Sequence, residues 1–135
     1  MRLAATLVFA VVPLAAAPIG GCNREPPAVV GTATYRERVA LPKDVAFAAA
    51  LLDVPPAGAP VRVVAMTFTR PPAEPPIAFR IPFDRARLRA SHRYLIRAQL
   101  TSRGKVLFGV DQPYAPPDRG SGPPVALTLA QLNAP

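Results

Sequence analysis

The large apolar residues of this chain fall in short, mostly alternating runs. In Ile77-Ala78-Phe79-Arg80-Ile81-Pro82-Phe83 every odd position is a large hydrophobe and every even position is small or polar. A period of two sends successive side chains to opposite sides of a pleated strand, so this segment predicts a half-buried strand. Residues 93–101 repeat the pattern, with Tyr94, Ile96, Ala98 and Leu100 on one face and Arg93, Arg97 and Gln99 on the other. Five further strands are predicted at 29–41, 45–54, 61–69, 105–110 and 125–129. The second of these is rich in alanine and suits a helix by propensity. Pro42 ahead of it, Pro55-Pro56 behind it and its place in a series of strands favour a strand. Ser102-Arg103-Gly104 predicts a hairpin between its flanking strands. Pro82 lacks an N–H, which predicts a sheet edge for its strand, and Asp84 is placed to cap a helical turn within 84–91. Seven short strands separated by Pro/Gly turns predict an all-β fold, a seven-stranded antiparallel sandwich.

The first twenty-two residues break this pattern. Arg2 precedes an apolar run over 3–17, interrupted only by Thr6 and Pro13. Such a run is short for crossing a hydrocarbon layer, which takes about 20 apolar residues, and suits a signal-peptide core. It closes on Ile19-Gly20-Gly21-Cys22, which resembles the bacterial lipobox, where the Cys thiol is diacylated and the chain is cut just before it. The expected organisation is a cleaved signal peptide over 1–21, an acylated tether over 22–28 and a sandwich domain over 29–132. Two or three acyl chains, at about 0.8 kcal/mol per buried CH₂, hold a protein where one chain does so marginally. Asn23 follows Cys22 where Asp would retain the protein at the inner membrane, by resemblance to enterobacterial lipoproteins. The expected location is therefore the outer membrane, lipid-anchored and facing the periplasm. The Pro-rich tether extends about 3.1 Å per residue and keeps the domain within roughly 20 Å of the lipid surface.

Composition narrows the chemistry. At 135 residues the chain is one domain's worth. One Cys excludes an internal disulfide, and one Cys with one His excludes a structural zinc site. No metal or cofactor is expected. His92, the sole His, lies beside a basic run and next to Ser91, whose side chain points away from it in an extended segment, so no catalytic residue is assigned and His92 reads as an exposed loop residue at a strand entrance. Asp44, Asp53, Glu74, Asp84 and Asp111 sit mostly at predicted strand ends or turns, where acids are ordinary. The net charge is +8. Arg85, Arg87, Arg89 and Arg93, with His92 among them, form a candidate anion-binding patch, because the guanidinium fork matches phosphate and carboxylate. Its ligands would be lipid A phosphates, anionic glycans or an acidic protein surface; the same run also reads as a solvated connection between strands. Nucleic acid is not expected, since no aromatics interleave the charges and the chain is exported. The absence of Trp leaves a carbohydrate-stacking platform poorly supplied. Tyr35, Tyr94 and Tyr114 begin or end predicted strands, where a Tyr hydroxyl often bonds backbone.

Several stretches in fixed order also carry a family resemblance. They are Gly31-Thr32-Ala33-Thr34-Tyr35-Arg36-Glu37-Arg38, Leu41-Pro42, Leu51-Leu52-Asp53-Val54, Pro76-Ile77-Ala78-Phe79 with Pro82-Phe83-Asp84, Tyr94 with Arg97-Ala98, and Gly104-Lys105-Val106-Leu107-Phe108 with Asp111 and Tyr114. Together they resemble the YbaY/YscW family of bacterial lipoproteins over residues 30–129. The Ala-rich 47–50 and the Pro-rich loop after Arg70 depart from it. The resemblance implies a small prealbumin-like β-sandwich on a lipid anchor. In one branch it implies a pilotin that helps the ring-forming secretin of type III secretion reach and assemble in the outer membrane. Another branch is associated with glycoprotein or polysaccharide metabolism, and neither supplies a catalytic residue. The expected function is a non-catalytic, chaperone-like lipoprotein that receives a segment of an envelope protein, such as a secretin, on a sheet edge or apolar groove. The alternative is a binder of anionic cell-surface polysaccharide or lipopolysaccharide through the patch at 85–93.

Overall fold

The computed structural model describes residues 25–132. The residues of the expected lipobox, Ile19, Gly20, Gly21 and Cys22, lie outside them. Seven strands form in chain order: β1 Ala28–Tyr35, β2 Ala46–Val54, β3 Arg62–Thr69, β4 Ile77–Pro82, β5 Arg93–Ser102, β6 Lys105–Tyr114 and β7 Val125–Gln131. The all-β expectation holds. The Ala-rich segment is a central strand, because neighbours on both sides satisfy its backbone: β3 on one edge and β5 on the other. β1 stops at Tyr35, six residues short of the predicted end, where alternation gives way to the exposed charges Arg36 and Arg38. β6 runs past its predicted end to Tyr114, carried by antiparallel pairing with β5 through Tyr94↔Tyr114.

Hydrogen bonding orders the strands β3-β2-β5-β6-β7-β1-β4. β3, β2, β5 and β6 make one layer and β7, β1 and β4 the other. The layers join where β6 and β7 pair at only two positions, Phe108↔Gln131 and Gly109↔Ala130. On the opposite side the edge strands β3 and β4 approach without pairing, so the sandwich is a nearly closed barrel with one open seam. The expected purely antiparallel arrangement needs one correction: β1 and β7 run parallel, with Gly31↔Val125 in register. Parallel neighbours require a long crossover, and here the five intervening strands supply it. A Cβ on Gly31 would stand 2.2 Å from the Val125 carbonyl oxygen, so only glycine permits this approach.

Alternation decides what fills the space between layers. Phe47, Leu51, Ile96 and Leu100 from one layer face Val29, Ile77, Ile81, Leu127 and Leu129 from the other, all essentially excluded from solvent. Each such side chain contributes about 1.5–3 kcal/mol on burial. Two tilted aromatic pairs cross between layers, Tyr35–Phe108 at 5.0 Å and Phe47–Phe79 at 5.9 Å between ring centroids. The predicted hairpin forms at Arg103-Gly104 with both residues at positive φ, 51° and 78°; a two-residue loop of this kind matches the twist of the flanking strands. Pro82 ends β4 at a sheet edge, as its missing N–H predicts. Asp84 caps a 3-10 turn at Arg85–Arg87, its carboxylate accepting from the Ala86 N–H at 2.9 Å.

Candidate functional site

Strand direction brings the start of β1, β3, β5 and β7 and the end of β2, β4 and β6 to one end of the sandwich. The N-terminal segment enters there. The Phe83 N–H donates to the Pro27 carbonyl at 2.9 Å, and the Arg80 guanidinium donates to the Pro26 carbonyl at 3.2 Å. The Ala28 N–H donates to the Ser121 hydroxyl at 3.0 Å. The connection from β4 to β5, which carries the arginine run, lies at this same end.

The structure divides that run by task. Arg85 donates to the carbonyls of Pro117 and, at 2.8 Å, Gly120, holding the 115–124 loop, while its guanidinium carbon sits 5.9 Å from the Phe83 ring centroid. Arg87 donates to the Val64 carbonyl at 2.6 Å and the Val63 carbonyl at 3.4 Å, at the edge of β3. Both therefore bind backbone of the protein itself. His92 is also engaged: its Nδ1 lies 2.6 Å from the Asp53 carboxylate. The expected open strand-entrance histidine is thus mostly covered, and Asp53, expected at an ordinary strand end, is 1 % exposed. Arg62 approaches its second oxygen at 3.2 Å. A buried carboxylate needs such donors. Among the described residues no hydroxyl hydrogen-bonds His92, and no cluster of three or more His, Cys, Asp or Glu is placed to hold a metal.

Arg89 and Arg93 stand apart. Their guanidiniums have no partner among the described residues, and both line a groove of about 800 Å³ between residues 88–94 and 113–118. Leu88, Tyr94, Pro113, Tyr114, Pro116 and Pro117 provide its apolar surface, and Asp118 is its one acid. Tyr94 fulfils the backbone-bonding expectation, its hydroxyl accepting from the Arg89 N–H at 2.6 Å and so fixing the loop beneath Arg89. Burial pushes the Tyr114 hydroxyl above its ordinary pKa, with the Arg85 charge pulling the other way. A smaller cleft of about 480 Å³ lies beside the groove, between Val64 and Ala65 of β3 and Pro82 at the end of β4 with Phe83 just after it; Pro26 and Pro27 line it, and Arg85 borders both.

A second surface was not legible from the arginine run. β3 turns Phe68, Met66 and Val63 to solvent at 70, 47 and 45 % exposure. Their partners across the ladder are Ala48, Ala50 and Leu52 of β2, and opposite residues share a face, so an apolar strip covers the outside of β2 and β3. The alanines are too small to cover the larger neighbours. The strip is bounded by Gln99 and by Arg97, which pairs with Asp111 of β6 through two hydrogen bonds of 2.8 and 2.9 Å. A register shift between Leu51 and Leu52 leaves Val64 without a partner across the ladder, where Arg87 takes the carbonyls. The sequence signal was present: from Val63 to Thr69 there is no charged residue and both alternating faces hold hydrophobes.

Comparison with known proteins agrees with this architecture. A solved structure described as an alternative pilotin from the type II secretion system of Vibrio cholerae superposes with a TM-score of 0.68 at 30 % identity, covering 79 % of this chain and 97 % of that one. The uncharacterized lipoprotein YbaY of Escherichia coli (strain K12) is 34 % identical over 86 residues, which are 63 % of this chain and 45 % of that protein. The matched stretch is thus under half of YbaY's length. Residues 24–129 match the family described as type III secretion system lipoprotein chaperone (YscW). Lipoprotein relatives place the chain in the cell envelope on a lipid anchor. With most of its length matched, the chain belongs to the YscW lipoprotein chaperone family.

Proposed function

We propose that this protein is a non-catalytic, pilotin-like lipoprotein, acylated at Cys22 and held at the periplasmic face of the outer membrane, where β3 receives a segment of a secretion-system protein such as a secretin. The observation that carries the reading is the apolar outer face of β3 at the open edge of the sheet. Natural edge strands are ordinarily blunted with charge, proline or a covering loop. Here only the start of the edge is closed, by Arg87 on Val63 and Val64, and residues 65–69 bear no charge. An apolar strip with a charged rim is the anatomy of a protein interface, and an open strand edge supports addition of an extended segment. The family description and the pilotin description of the Vibrio cholerae relative support the choice of partner. The polysaccharide alternative retains only Arg89 and Arg93 as free cations of its patch.

Phe68→Glu tests the reading. The side chain is exposed, so stability should change by no more than about 0.5 kcal/mol. Secretin multimers in outer-membrane fractions should fall to the level of a strain lacking the protein. Multimers at wild-type abundance, with the variant folded and membrane-bound, would overturn the proposal. Cys22→Ser should abolish palmitate labelling; retained labelling would remove the anchor from it.

A further inference from the structure

We propose that the end of the sandwich carrying the tether is itself a membrane contact, in which the groove between residues 88–94 and 113–118 takes the phosphate of anionic phospholipid headgroups on Arg89 and Arg93. The inference rests on the acylation of Cys22 proposed above, which brings this end to the lipid surface. Three observations converge. The first is position: the chain is pinned through the Pro26 and Pro27 carbonyls, so the three links from Cys22 to Glu25 can reach about 10 Å at most. Arg85 borders both the cleft lined by Pro26 and Pro27 and the groove, which makes the two surfaces adjacent.

The second is charge. Arg85, Arg87 and His92 are spent on the Pro117 and Gly120 carbonyls, the β3 edge and Asp53, whereas Arg89 and Arg93 have no partner and face one acid, Asp118, across the groove. A guanidinium fork matches a phosphate, and basic residues held near an anionic leaflet are attracted to it. The third is the lining. Leu88, Pro113, Pro116 and Tyr114 offer apolar surface beside the cations, with the Tyr114 ring partly covered and partly open. Amphipathic rings of this sort suit a boundary that is apolar on one side and wet on the other. A soluble acidic peptide would satisfy the cations too, but it gives no reason for the groove to sit beside the tether.

The experiment uses the acylated protein in vesicles of phosphatidylcholine, with and without phosphatidylglycerol, and reads amide hydrogen exchange over residues 88–94 and 113–118. Exchange is expected to slow about tenfold only with phosphatidylglycerol, and the slowing should fade as salt shortens the screening length. Arg89→Ala/Arg93→Ala should abolish it, Arg89→Lys/Arg93→Lys should retain part of it, and Arg36→Ala/Arg38→Ala, an equal loss of charge at the opposite end, should leave it intact. Equal exchange in both vesicles overturns the proposal. So does equal slowing by inorganic phosphate without vesicles, or slowing by polyglutamate and not by phosphatidylglycerol. Failure to float with phosphatidylcholine counts against acylation instead, and the groove is then judged by flotation with phosphatidylglycerol vesicles alone.

Discussion

Asp53 is the residue whose environment most departs from its appearance in the chain. It follows two leucines in a central strand, faces inward and is sealed from water, with His92 and Arg62 supplying hydrogen bonds. Removing one donor leaves a buried carboxylate short of a partner, which costs about 1–3 kcal/mol or more. His92→Ala is therefore expected to lower the urea-unfolding free energy by about 2 kcal/mol; a change under about 0.5 kcal/mol would return His92 to the solvated loop residue the sequence suggested. The Arg97–Asp111 pair acts differently because it is half-exposed. Hydrogen bonds from Arg97 hold the Asp111 carboxyl below its ordinary pKa, burial opposes them, and the Arg97 charge adds to the lowering. A carboxyl depressed in the folded state stabilises above its unfolded value, near pH 4, and loses that contribution as pH falls through the folded value. Asp111→Asn is expected to cost less than about 1 kcal/mol at neutral pH. The difference from wild type should shrink as denaturation is repeated below about pH 4, and a difference that grows on acidification would contradict the assignment.

At the scale of elements, the tightest demand falls on the parallel pair of β1 and β7. A methyl group at Gly31 meets a backbone carbonyl, which cannot swing aside as a side-chain tip can. Gly31→Ala is expected to destabilise by about 1–3 kcal/mol, the range for overpacking, and a thermal midpoint unchanged from wild type would show that the strands separate freely. The strands themselves were legible in the chain because alternation and Pro/Gly turns are local signals: Ile77 to Phe83 and Tyr94 to Leu100 declare their buried faces unaided. The β1–β7 pairing was not, since parallel neighbours distant in sequence leave no mark in either strand. The same limit applies to the candidate site. Four arginines within nine residues were visible as a cluster, but their division into two backbone staples and two free cations depends on Pro117, Gly120, Val63 and Val64, which arrive from elsewhere in the chain. The apolar run from Val63 to Thr69 was visible as a strand, while its exposure follows from its place at the sheet edge, a property of topology.

For the whole molecule, we propose that two surfaces divide the work: the tether end, with its groove, to set how the sandwich sits on the membrane, and the β3 edge with the outer strip of β2 and β3 to receive a partner. Seven strands surround one core, and the seam between β3 and β4 leaves one side of the barrel without a closing ladder. Site-specific photocrosslinking in intact cells distinguishes this arrangement from any other, with the reactive group placed at position 68 on β3, at 36 beyond β1, or at 105 in the hairpin. Covalent capture of the secretin from position 68, with little from 36 or 105, is the expected result. Capture from 36 or 105 with none from 68 would contradict the assignment of β3 as the surface that holds the partner.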